Sequence, residues 1–181
     1  MVNKAQKFAF EKHKNQKRKD GITPFSEHLE GVVNRLKNLG ISNEDVLCAA
    51  WLHDTLEDTS TTFDEINNIF GNTISVLVLS LTKDLNLSKK EIELQYIRQL
   101  RDSTPQAKII KFCDISANLK DVVNAPISKT QKNKKVKKLF HYLRVIKKGL
   151  AENKSEYPRI QDLVDGINSI GIKFRQRPFI I

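Results

Sequence analysis

The stretch Val46-Leu47-Cys48-Ala49-Ala50-Trp51-Leu52 is apolar nearly all round a helix and runs directly into His53-Asp54-Thr55-Leu56-Glu57-Asp58. A helix without a polar face must be buried on every side, so this one lies at the centre of whatever the chain folds into. The ionisable groups at its end are thereby drawn toward the interior. On a continuing helix, His53 and Glu57 are i, i+4 neighbours, and so are Asp54 and Asp58; the two rows lie about 100° apart and line one side of a cavity. Three carboxylates beside a histidine in such a place need compensating charge, which a bound cation supplies. The alternative is a solvent-exposed polar last turn. Acidic side chains at a helix C-terminus oppose the macrodipole, which makes that the poorer account.

The rest of the chain reads as helices with short connections. Residues 3–14 predict a helix carrying Phe8 and Phe10, followed by a basic stretch to Thr23 with the turn signal Asp20-Gly21. Pro24 precedes a helix with Leu29, Val32, Val33 and Leu36 at helical spacing, stopped by Gly40. Ser42, with Asp45 three residues on, reads as the cap of the apolar helix. Further helices are expected after Thr62, over 72–82, from Ser88 to Arg101, from Pro105 through Leu119, and across the basic segment 128–138 into Leu139, Phe140, Leu143 and Ile146. A last helix is expected from about Pro158 to Ile170, and the tail 171–181 has no assigned pattern. No strand pattern and no internal repeat appears. The expectation is an all-α fold, one compact helical domain over residues 1–181 with eight or nine helices.

Composition narrows the function classes. The two cysteines, Cys48 and Cys113, are far apart in apolar surroundings, which makes neither a disulfide framework nor a zinc knuckle. Nothing resembles a secretory signal or a membrane span, so a cytoplasmic protein with no membrane partner is expected. The formal charge of +10 favours an anionic partner without choosing among nucleic acid, nucleotides and polyphosphates.

Two residues are candidates to complete a ligand set. His28, at the start of the second helix, reads as a surface histidine or a ligand. Asp114 is an acid inside the apolar run Ile109-Ile110-Lys111-Phe112-Cys113-Asp114-Ile115. It needs a partner, either a cation on Lys111, Arg98 or Arg101, or a metal. The order His28, His53-Asp54, Asp114 resembles the H…HD…D arrangement of HD-domain phosphohydrolases. The segments HKNQKRKDGITPFSEHLEGV, AAWLHDTLEDTSTTFDEINNIFG, VLSLTK and KIIKFCDISANLKDV resemble the hydrolase domain of RelA/SpoT homologues, with spacing most similar to the stand-alone small alarmone hydrolases. The resemblance spans about residues 3–170.

It implies an HD-type helical fold and a metal-dependent hydrolase that removes the 3′-pyrophosphate of guanosine 3′,5′-bis(diphosphate). His28, His53, Asp54 and Asp114 are implied as ligands of Mn²⁺, although mixed N/O ligation also admits Mg²⁺, Zn²⁺ or Fe²⁺. Glu57 and Asp58 match the family's catalytic pair, Glu57 orienting and deprotonating the attacking water with Asp58 in support. Arg18 and Lys19 match a pair that contacts base and phosphates; Lys111, Asn118 and Lys120 are further implied substrate contacts. The chain departs from many relatives at Ile115 and Ala117, where a basic residue and a His or Tyr are frequent. An HD enzyme acting on an adenine alarmone or on the 2′-phosphate of NADPH shares the metal chemistry. A non-enzymatic nucleic-acid binder has the lysine run 129–138 in its favour. That run lies opposite an apolar stripe, however, with few interleaved aromatics, which reads as a solvated helix face. The expected partner is therefore a nucleotide rather than nucleic acid.

Overall fold

The computed structural model describes residues 1–181, which wind through ten α-helices and a 3₁₀ turn (Lys154–Glu156): α1 (Val2–Lys12), α2 (Phe25–Asn38), α3 (Glu44–Leu52), α4 (Thr55–Asp58), α5 (Phe63–Phe70), α6 (Asn72–Leu81), α7 (Lys89–Asp102), α8 (Pro105–Asn124), α9 (Lys129–Glu152) and α10 (Ile160–Lys173). Nine have eight residues or more and α4 is a single turn, in line with the eight or nine expected. An isolated bridge between Lys17 and Pro24 takes the place of any sheet.

Two helices organise the rest. Every residue of α3 from Val46 to Leu52 is buried, and α3 packs against α1, α2, α6 and α8. α8 is buried continuously from Ile109 to Ala117 and packs against α2, α3, α6, α9 and α10. Neither has a solvent face along those spans, so the amphipathic helices assemble around them, and the buried hydrophobic side chains form one cluster of 43 residues. That cluster draws residues from every helix except α4, from Ala5 in α1 to Ile167 in α10. Both cysteines lie in this core as free thiols.

The local chemistry at helix ends follows the sequence with some corrections. Thr62, Ser88, Thr104 and Ser128 each accept a backbone N–H as N-caps, Ser88 and Ser128 in full capping boxes. The cap of α3 is Asn43, whose side chain accepts from Val46 N, and not Ser42. Gly71, at φ +88°, turns α5 into α6, a conformation open to glycine. α10 begins at Ile160, two residues later than expected, and runs to Lys173. The unassigned tail docks: the Asn168 amide brackets Phe179 by donating to its carbonyl and accepting from its N–H, and Phe179 packs on Phe112.

The correction that matters most is at the end of α3. The helix does not continue through His53 and Asp54; it stops at Leu52 and resumes as α4. His53 Nδ1 bonds to the Ala50 carbonyl at 2.8 Å, and Thr55 Oγ1 donates to the Leu52 carbonyl at 2.6 Å. Side chains thus take up carbonyls that the next helical turn would have used. The kink re-aims His53 and Asp54 while the Asp58 N–H still bonds to the Asp54 carbonyl.

Candidate active site and metal centre

The four residues suggested as ligands converge from two helices and the α3–α4 turn, which carries both His53 and Asp54. His28 comes from the first turn of α2, whose entry is set by Pro24; Asp114 comes from the middle of α8. His28 Nε2 lies 3.2 Å from Asp114 Oδ1 and 3.6 Å from Asp54 Oδ2; His53 Nε2 lies 3.2 Å from Asp54 Oδ2 and 3.7 Å from Asp114 Oδ1. A divalent ion about 2.0–2.2 Å from each ligand sets neighbouring ligands about 3.0–3.5 Å apart, so the spacing fits one. His28, His53 and Asp114 are all buried, and each offers an atom within 4.8 Å of the other two. The Nε2 atoms of both histidines are buried without a hydrogen-bond partner. Two unpaired imidazole nitrogens aimed at two carboxylates is the arrangement a cation resolves. Because His53 Nδ1 bonds to a backbone carbonyl, it must be the donor, which leaves Nε2 as the lone-pair nitrogen.

The charges say the same. Burial alone would keep His53 neutral, yet Asp54 and Asp114 outweigh it and push its pKa up to about 10. Burial likewise opposes ionisation of Asp54, but His53 and His28 hold its carboxyl well below the usual range. The two carboxylates thus favour positive charge within the cluster. Lys111 meets part of that demand. Its Nζ is buried beneath Asp114, donates to Oδ2 at 2.8 Å, and sits over the Tyr96 and Tyr142 rings at 5.3 and 5.7 Å. Despite burial, Asp114 and Tyr96 keep Lys111 protonated. Asn118, one turn on, donates from Nδ2 to Asp114 Oδ1. Asp114 is thus oriented through both oxygens.

Beside the cluster opens a cavity of about 290 Å³ whose wall includes His28. Arg18, Lys19, Asn118 and Lys120 all line it, so four of the five suggested substrate contacts are brought together; Lys111 lies behind Asp114 instead. The Arg18 guanidinium stands over the Phe25 ring at 5.2 Å and donates to Asn118 Oδ1 at 2.9 Å and to Asp121 Oδ2. It is therefore a fixed plane, tied through Asn118 to Asp114.

Glu57 and Asp58, at the end of α4, have different surroundings. Glu57 accepts from Lys83 twice, Oε1 from Nζ at 2.7 Å and Oε2 from the backbone N–H at 3.1 Å. Asp58 has no cation paired to its carboxylate. Partial burial, then Asp54 and Glu57 nearby, push its pKa up to about 6.

Three site residues escaped the sequence reading. Lys83 was visible as the end of the LTK motif, but nothing linked it to Glu57. Arg35, on α2, lines the cavity while donating to Ser116 Oγ and the Gly31 carbonyl. Lys135, on α9, also lines the cavity; in a run of six lysines nothing local marks it out.

Comparison with known proteins gives the family of the chain. Residues 5–148 match the model of the HD domain family. The guanosine-3′,5′-bis(diphosphate) 3′-pyrophosphohydrolases MESH1 of Danio rerio and Homo sapiens are each 39% identical over 145 residues, covering 79% of this chain and 80% of the relative. The guanosine-3′,5′-bis(diphosphate) 3′-pyrophosphohydrolase of Aquifex aeolicus is 36% identical over 137 residues, 76% of this chain but 19% of that longer protein. The solved structure of a metazoan ortholog of SpoT that hydrolyzes ppGpp superposes with a TM-score of 0.81 at 26% identity, covering 97% and 96% of the two chains. The chain with this buried His-Asp cluster therefore belongs to the HD-domain family.

Proposed function

We propose that the protein hydrolyses guanosine 3′,5′-bis(diphosphate) alarmones at the 3′ position, releasing pyrophosphate, with a divalent cation held by His28, His53, Asp54 and Asp114. The observation that carries this is the continuity of the four-residue cluster with a cavity carrying five cations, Arg18, Lys19, Arg35, Lys120 and Lys135. The relatives named above, of similar length and fold, act on this substrate.

A cation bound there would neutralise phosphoryl charge and lower the pKa of a water it binds, and Mn²⁺ suits the two-imidazole, two-carboxylate set. The chain's own groups do the rest. Arg18 offers a plane on which a purine stacks, and the remaining cations hold phosphates in the orientation the cluster needs. Glu57, clamped by Lys83, serves as a fixed acceptor that orients the attacking water. Asp58, with a pKa near 6 and no cation on it, is placed to accept that water's proton and deliver it to the departing 3′-oxygen. This division gives Asp58 the proton that the sequence reading gave to Glu57. Asn118 and Lys111 act by holding Asp114.

A second substrate reading has one observation behind it. Ile115 is fully buried and Ala117 lines the cavity, so of the two departures from relatives only Ala117 alters the binding wall. A smaller residue there suits a different base or ribose phosphate, such as the 2′-phosphate of NADPH. Turnover with Mn²⁺ against a nucleotide panel tests both. Pyrophosphate released from guanosine 3′,5′-bis(diphosphate), abolished by chelation, is expected. Orthophosphate released from NADPH with the guanosine substrate untouched replaces the substrate, and full activity in excess chelator removes the metal assignment.

A further inference from the structure

The cavity holds two arginines, and their charges are placed differently. Arg18 is paired with Asp121, and Asn118 helps fix its plane. Arg35, on α2, has no carboxylate. Its Nε donates to Ser116 Oγ at 3.2 Å and its Nη1 to the Gly31 carbonyl, one turn back, at 2.7 Å; both acceptors are neutral. Nη2 has no protein acceptor. Asp20, Glu27 and Asp121 share the cavity wall, yet none of them pairs with Arg35, and Asp20 is taken by Thr23 and the Ile22 and Thr23 N–H groups. Burial lowers the pKa of this guanidinium, and Asp121 and Asp114 act on it only from a distance.

The side chain can fold back along its own helix because position 31 is glycine: a Cβ there would lie 3.1 Å from Arg35 Nη1. Ser116, buried on α8, braces it from the neighbouring helix. The next residue, Ala117, adds only a methyl group to the cavity wall. A guanidinium held in one plane, partly stripped of water and without a counter-ion, is set to receive an oxyanion. Its position says which one. Arg35 and His28 line the same cavity from one face of α2, and their separation along the chain puts Arg35 about 10.5 Å further along the helix axis. A phosphate held at the four-residue cluster does not reach that far. A nucleoside phosphorylated at both ends of its ribose does.

We propose that Arg35 is a specificity-determining residue that receives the 5′-diphosphate of the nucleotide, so that the enzyme selects nucleotides phosphorylated at both ends. Nη2 and the second N–H of Nη1 are the donors. Ser116 and Gly31 act by holding the guanidinium plane. The inference rests on the hydrolase reading proposed above, which places the 3′ phosphate at the metal end.

Substrates with and without the 5′ group test this. The parent should prefer guanosine 3′,5′-bis(diphosphate) over guanosine carrying only a 3′-diphosphate. Arg35→Ala should narrow that preference about 10- to 100-fold, the range for a lost hydrogen bond to a charged group. The loss should fall on KM, with bound metal unchanged by elemental analysis. Arg35→Lys keeps the charge without the braced plane and should recover only part of the preference. An unchanged preference in Arg35→Ala, or full recovery in Arg35→Lys, overturns the proposal. So does an equal loss on both substrates, which would make Arg35 a support for α2. GDP titrated into the chelated protein reads the subsite without turnover. GDP should bind the parent more tightly than guanosine does, and Arg35→Ala should cut that advantage about tenfold or more; equal affinities in the parent overturn the subsite. A parent that releases no pyrophosphate from either substrate overturns the hydrolase reading instead, and the GDP titration then decides the subsite by itself.

Discussion

The two halves of the site are built on opposite principles. On the proposed metal side, His28, His53 and Asp114 are buried and come from the packed helices or the kink after α3; the Ala50 carbonyl holds His53, and Lys111 and Asn118 hold Asp114. On the nucleotide side, Arg18 and Lys19 sit on a loop, while Lys120 and Lys135 sit at the ends of long helices and face an open cavity. A buried charge has no substitute for its partner, since water cannot reach it; an exposed one is solvated whether or not its partner stays. The chemistry is therefore tied to the stability of the fold, and substrate choice can vary with little cost to it.

If that contrast is right, the largest effect comes from Asp114→Asn. Metal binding and turnover should both be lost, and the metal-free protein should unfold about 3 kcal/mol more easily, because Lys111 is left as a buried charge without its counter-ion. Denaturant melts with and without Lys111→Met in the same background check this; an unchanged midpoint would mean the pair contributes nothing and the contrast fails.

Next are the two carboxylates of α4. Asp58→Asn should reduce kcat by about 10²- to 10⁴-fold with metal retained. The sign of the pH dependence follows from the raised pKa. The active form is the carboxylate, so kcat should rise with pH through about 6 in the parent and lose that limb in Asp58→Asn. Persistence of the limb in the variant, and its loss in Glu57→Gln, would return the proton to Glu57.

Arg18→Ala should raise KM about tenfold or more while kcat and metal content change little, the mark of a group that binds ground state and transition state alike. A matching fall in kcat would place Arg18 on the chemical step, through Asn118 and Asp114. The smallest effects sharpen the picture within one helix. Lys135→Ala should raise KM severalfold, whereas Lys134→Ala and Lys137→Ala, exposed and outside the cavity, should leave kinetics unchanged and alter stability by less than about 0.5 kcal/mol. Equal KM effects across all three would mean that diffuse charge, and not placement, draws the nucleotide in.

Much of this was legible before any coordinates. The apolar stretch Val46–Leu52 could be nothing but a central helix, and Asp114, an acid within Ile109–Ile115, had to have a buried partner. The helix periods and caps mark the elements to within a few residues, because caps and apolar spacing are properties of neighbours along the chain. Less legible was everything that depends on partners far apart in sequence. Whether Asp114 answers to Lys111, Arg98 or Arg101 could not be chosen from the chain; Lys111 and Asn118 do the work because they share its face of α8. The Glu57–Lys83 clamp joins residues 26 positions apart, and Arg18 meets Asp121 across 103.

By itself, the sequence determined an all-helical fold, its apolar central helix and the residue types available for metal and phosphate chemistry, since hydrophobic periodicity and composition are local quantities. Only the tertiary structure decided that α3 breaks at His53, that Lys83 occupies Glu57 and leaves Asp58 free, that Lys111 serves Asp114 from below, and that Lys135 alone of its run reaches the cavity beside Arg18 and Asn118. Each of these depends on which side chains meet across packed helices, where burial raises the cost of an unpaired charge and so selects the pairing that one-dimensional pattern leaves open.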